Sequence, residues 1–149
     1  MNRDTVRNAH IVAAMTGTCL IALFWVGTVG AELLGTSSEV ARVKLAVATA
    51  VPLLVASFAV AGISGQRLAG RSQGRLVRRK QARMAWMAGL GIAVLTPSAI
   101  ALAILASYGE TTSTRFVVLQ VIELAAGAIN LSLSVLQIRA GRRLRPAPA

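Results

Sequence analysis

Acidic residues are scarce in this chain: five among 149, against 16 basic ones. Charge of either sign is scarce too, at 14% of residues. A soluble domain of ordinary composition carries about 25%. That deficit excludes a typical soluble enzyme. There is one cysteine, Cys19, and one histidine, His10. A single cysteine forms no internal disulfide, and one Cys with one His builds no metal cluster. A haem held by two histidines of this chain is excluded by the same count. No cofactor and no metal is therefore expected. Nothing assembles a Ser-His-Asp, His-rich or Cys-Cys set, so the expectation is no catalytic residue and no enzyme.

What is abundant is apolar residue. The chain is 55% hydrophobic with a mean hydropathy of +0.66. A disordered basic tail would be poor in such residues. The class left standing is an integral membrane protein with basic edges. The heavy use of arginine and alanine, with lysine only at Lys44 and Lys80, reads as a GC-rich bacterial gene.

Four uncharged runs cover residues 8–31, 45–66, 84–109 and 116–138, apart from Glu123 inside the last. About 20 apolar residues at 1.5 Å rise cross a bilayer core of about 30 Å. The runs lack strand-like alternation, which argues against a barrel. The expected fold is all-α, one four-helix transmembrane bundle, with helices over about 9–31, 41–65, 84–108 and 115–138. A basic loop over 66–83 and a disordered tail over 142–149 complete it. Thr36 and Glu39 have the spacing of a capping box, which starts the second helix. Pro52 and Pro97 lie inside helices and should kink them.

The charges sort by connection. Arg3 and Arg7 precede the first helix. Arg67, Arg71, Arg75, Arg78, Arg79, Lys80 and Arg83 lie in the second connection. Arg139, Arg142, Arg143 and Arg145 follow the last helix. That makes 13 basic residues on one side against Arg42, Lys44 and Arg115 on the other. The positive-inside rule places both termini and the basic loop in the cytoplasm, hence a multi-pass protein of the bacterial inner membrane. The first helix also reads as a signal peptide, cleaved after Val29-Gly30-Ala31. Its apolar run is longer than the usual 7–15 residues of such a segment.

The polybasic loop faces a membrane, so anionic lipid headgroups are its expected partner rather than nucleic acid. A homo-oligomer or another membrane subunit is a further expected partner. Small residues should carry the helix packing. The pairs Ala13 with Gly17 and Gly27 with Ala31 serve in the first helix. Gly89, Ala93, Thr96, Ala103 and Ser107 make a face of the third. In the fourth, Gln120, Glu123, Gly127, Asn130, Ser134 and Gln137 recur at spacings of 3 and 4, which puts all six on one face. Lipid penalises that face, so it turns inward.

Glu123 lies about 10 Å along its helix. An acid at that depth is paired, neutral or hydrated, since placing it in the membrane costs on the order of 3 kcal/mol. Lys44 is the expected partner. Both helices run inward, and both side chains tilt back toward the same face. Two readings stay open: an ion pair that fixes helix register, or a proton- or cation-responsive site of Glu123, Lys44 and Glu32, with Asn130 and Gln120 nearby. His10, Met15 and Cys19 share no clean face, so His10 reads as an interfacial residue and Cys19 as a small buried one.

The segments Glu32-Leu33-Leu34-Gly35, Val43-Lys44, Gly62-Ile63-Ser64-Gly65 and Glu123-Leu124-Ala125-Ala126-Gly127-Ala128-Ile129-Asn130 together resemble a group of small bacterial inner-membrane proteins described only as membrane proteins. That resemblance implies a four-helix membrane fold and no activity. Small four-helix multidrug transporters differ, because their essential acid lies in the first helix. The function expected from the residues is a structural or accessory membrane protein, an oligomer or a subunit of a larger complex. The alternative is a small proton- or ion-coupled transporter using Glu123 and Lys44.

Overall fold

The computed structural model describes residues 2–70 and 74–143, and for residues 76, 77, 80 and 141–143 the backbone alone. The described residues contain helices and no strands: α1 Arg3–Leu34, α2 Ser37–Ala69, α3 Arg75–Leu90, a π-helical turn Gly91–Leu95, α4 Thr96–Ser107 and α5 Thr114–Arg143. Segments α3, π turn and α4 run on as one span, so four helices are long and apolar enough to cross a membrane. The bundle goes up, down, up, down. One end holds Arg3, Arg7 and the α2–α3 connection, and is called the basic end below. The other holds the α1–α2 and α4–α5 connections and is called the far end.

The helices overrun the expected boundaries at their basic ends. Residues 66–83 are not a loop: α2 continues to Ala69, α3 begins at Arg75, and the connection shrinks to 70–74. The reason is propensity. Between Arg75 and Arg83 stand arginine, leucine, glutamine and alanine with no Gly or Pro, and such residues prolong a helix beyond its apolar part. Arg67, Arg75, Arg78 and Arg79 are exposed on these helix ends. Arg71 and the tail 144–149 lie outside the described residues, as does the side chain of Lys80. Residues 142 and 143 still belong to α5.

Local chemistry sets the helix starts. The Thr36 N–H donates to Glu39 Oε2 at 2.7 Å, the reciprocal arm of the capping box, and α2 begins at Ser37. Ser113 Oγ accepts the Phe116 N–H at 3.2 Å and opens α5. Pro52 is carried inside an uninterrupted α2. At Pro97 the outcome differs. A proline has no N–H and its ring crowds the carbonyl four residues back. The preceding turn widens instead: the Thr96 N–H reaches Gly91 O, five residues back, and Thr96 Oγ1 donates to the same oxygen at 2.9 Å.

The four spans form a square. Helix α2 packs on α1 along its length and on α4 in the far half; α5 packs on α1, α3 and α4. Helices α2 and α5 face each other across the diagonal. Two small apolar clusters fill the far half. Val40, Leu102, Ala106 and Phe116 form one, and Val47, Val51 and Ala99 the other. Toward the basic end α2 and α3 diverge, and the bundle is open between them.

The small residues divide. Gly17 meets the Phe58 ring, which an added Cβ would approach to 3.1 Å, so α1 and α2 need hydrogen there. An added Cβ at Gly27 meets nothing within 4 Å, so of that pair only Ala31 carries packing, against the Val40, Leu102, Ala106 and Phe116 cluster. The third-helix face also differs from expectation. Ser98, Ala99, Leu102 and Ala106 are buried, while Thr96 and Ala103 are half-buried and Gly89, Ala93 and Ser107 are exposed. Where lipid replaces water, a small apolar residue is equally at home on either side.

Candidate functional site

The α5 face is the best-defined feature. Gln120, Glu123, Gly127, Asn130 and Ser134 are all buried, and Gln137 is half-buried, while Val121, Ile122, Ile129 and Leu136 between them are exposed. Period-3.6 geometry places them so. A carboxyl or amide turned toward hydrocarbon would go unpaired, which is the physical reason such a face packs inward.

Lys44 comes from the diagonal helix to meet it. Its ammonium donates to Glu123 Oε2 in a direct ion pair, with Lys44 1% exposed and Glu123 9%. The lysine stem crosses the centre of the bundle between the two apolar clusters. Among the described residues the other ion pair is Arg7 with Asp4, at 3.1 Å on the surface. Glu32 is exposed near the end of α1 and makes no direct ion pair with Lys44, but its charge acts on the ammonium through space. Glu123 Oε1 has no hydrogen-bond partner among the described residues.

The other members of the face are used in different ways. Trp25 stacks into the notch at Gly127, where an added Cβ would come within 3.2 Å of its ring, and donates its indole N–H to Leu124 O at 3.1 Å. Asn130 Nδ2 donates to Met87 O at 3.4 Å, just before the π turn, while its Oδ1 is buried without a partner. Ser134 Oγ donates to Asn130 O at 3.0 Å. Gln120 is buried, and neither its Nε2 nor its Oε1 meets a protein partner. Gln120 and Asn130 therefore share the face with the ion pair without hydrogen-bonding to it.

Glu123 also lines a cavity of about 430 Å³. The cavity runs down the opening between α2 and α3, from Thr28, Val47 and Glu123 to Gln66 and Met84. Its walls are apolar and aromatic, with Phe24, Trp25 and Phe58 among them. No pattern in the sequence announces it, because it arises from the divergence of two helices rather than from a motif.

At the basic end His10 was expected to be only interfacial. It is a clasp. Its Nδ1 donates to Ala61 O at 2.9 Å and lies 3.2 Å from Ser64 Oγ, joining α1 to α2. Gly65 makes room for it, since an added Cβ there would lie 3.1 Å from His10 Cε1. Cys19 is exposed rather than buried. No described group of three His, Cys, Asp or Glu residues is arranged to hold a metal ion. Compared with known proteins, the chain matches no family model, no curated protein and no solved structure.

Proposed function

We propose that this chain is a multi-pass protein of the bacterial inner membrane, with both termini in the cytoplasm. It works by association rather than by catalysis, as an oligomer or as a subunit of a larger complex. The observation that carries this reading is the Lys44–Glu123 pair. It is charge-balanced, buried at the bundle centre, and spans two helices that otherwise scarcely meet. A buried pair of this kind is best suited to fixing register. Four apolar spans support insertion. The crowding of arginines at one end supports the orientation, and the exposed Arg75, Arg78 and Arg79 suit anionic headgroups there.

The test is the mass of the protein extracted in mild detergent, by native mass spectrometry. A multiple of the 15.5 kDa chain, or a second chain in fixed ratio, supports the reading. A lone monomer overturns it.

A second reading has one observation in its favour. Glu123 lines the cavity between α2 and α3, and its Oε1 has no hydrogen-bond partner among the described residues. A proton- or ion-coupled carrier would use such a carboxylate. Proton-coupled uptake into vesicles, lost in Glu123→Gln, would select that reading.

A further inference from the structure

The cavity and the ion pair meet at one carboxylate. The pair is neutral as a unit, Lys44 Nζ on Glu123 Oε2, and its second oxygen is unused. Asn130 also lines this wall, about 10 Å along α5 from Glu123, but its Oδ1 is closed off from the cavity space. The unspent polar capacity at the cavity is therefore the acceptor Oε1 of Glu123. The rest of the wall is hydrocarbon and aromatic ring, and the volume suits a small organic molecule.

Charge balance narrows the occupant. A cation seated beside a neutral pair would leave one uncompensated positive charge in a medium of low dielectric constant. An anion would leave a negative one and face a carboxylate as well. Burial of an unpaired ion is strongly unfavourable, whereas a neutral donor satisfies Oε1 at no such cost. Access narrows it further. The lips of the opening, Val55 and Ile63 of α2 and Ile92 of the π turn, are exposed on the flank of the bundle, where hydrocarbon would lie. Entry is sideways from the membrane.

We infer that the cavity is a binding site for a neutral membrane-dissolved amphiphile, a molecule with an apolar body and a hydroxyl group that donates to Glu123 Oε1. The ion pair stays closed throughout. Lys44 holds the carboxyl group in place through Oε2, and Oε1 of Glu123 reads the hydroxyl.

The two tryptophans permit a direct test. Trp25 lines the cavity, and Trp86→Phe leaves it as the sole indole. The purified Trp86→Phe protein in detergent is titrated with ω-bromoundecanol, whose bromine quenches indole emission. Bromoundecane, ω-bromoundecanoate and ω-bromoundecyl-trimethylammonium are titrated in parallel. The expected result is saturable quenching by the alcohol, about tenfold or more tighter than by the other three, the gain of one hydrogen bond to a charged group. Gly62→Phe puts a ring into the cavity from a position where an added Cβ meets nothing within 4 Å, and abolishes the saturable phase. The double variant Lys44→Leu with Glu123→Leu removes the acceptor together with its counter-ion, and lowers the alcohol to the level of bromoundecane. Circular dichroism checks that each variant is helical. Equal quenching by all four probes, tightest binding of the ammonium or carboxylate, or an unchanged response in Gly62→Phe overturns the inference. The mass measurement and this titration fail independently.

Discussion

Lys44 reaches Glu123 across the diagonal of the bundle, and so ties α2 to α5, which lie on opposite corners. The contact is made by the longest stem available on α2 and by an acid placed on the one polar face of α5. Neither residue makes a second direct ion pair among the described residues, though the charge of Glu32 also acts on Lys44 through space.

Breaking the pair from one side should be far worse than deleting it. Lys44→Met or Glu123→Leu leaves an uncompensated buried charge and should lose about 3–5 kcal/mol. Replacing both with apolar residues of similar volume should recover most of that loss. Thermal unfolding in detergent of the two single variants and the double one checks this. A double variant as unstable as the singles would refute the coupling.

The glycines of α1 and α5 should respond in opposite ways. Gly127→Val drives a branched side chain into the Trp25 ring and should cost about 1–3 kcal/mol, with a shift in Trp25 emission. Gly27→Ala meets open space in a helix interior and should be neutral or stabilising by about 0.5–1 kcal/mol. The same thermal assay reads both.

His10→Ala should loosen the basic end of the α1–α2 hairpin. It removes the donor to Ala61 O, for a loss of about 1 kcal/mol. Hydrogen exchange should rise near Ser64 and Gly65 while the far end stays protected. Uniform change along both helices would contradict a local clasp.

Orientation is open to chemical labelling. In a Cys19→Ser background, Thr112→Cys in the α4–α5 connection should react with an impermeant maleimide on intact cells. Arg79→Cys on α3 should react only after lysis. The reverse pattern would invert the proposed topology.

Much of the far half was legible in the sequence, and the reason is the solvent. A carboxyl, an amide or an ammonium within an apolar run has few places to go, so the 3–4 spacing from Gln120 to Gln137 announces the inward face of α5. Similar depth and similar tilt announce that Lys44 and Glu123 can meet. The capping box fixed the start of α2 for equally local reasons. Alanine and glycine carry no such instruction. The face proposed from Gly89, Ala93 and Ser107 is therefore not the buried one, and Gly27 is not a contact. The run of arginines marked an end of the bundle but not its helicity, because charge reports position while propensity reports conformation. The His10 clasp and the α2–α3 cavity depend on how whole helices lean, which no short pattern encodes.

The diagonal placement of the ion pair bears on how such a chain is made. Lys44 emerges from synthesis 79 residues ahead of Glu123. An α1–α2 hairpin delivered into a bilayer on its own carries the Lys44 ammonium without its buried partner, with only the exposed Glu32 of α1 acting on it through space. The lysine stem tilts toward the far end, so the head can wait at the lipid–water boundary on that side. The buried pair can close only once the last helix brings Glu123, so the burial of an early residue is tied to the arrival of a late one.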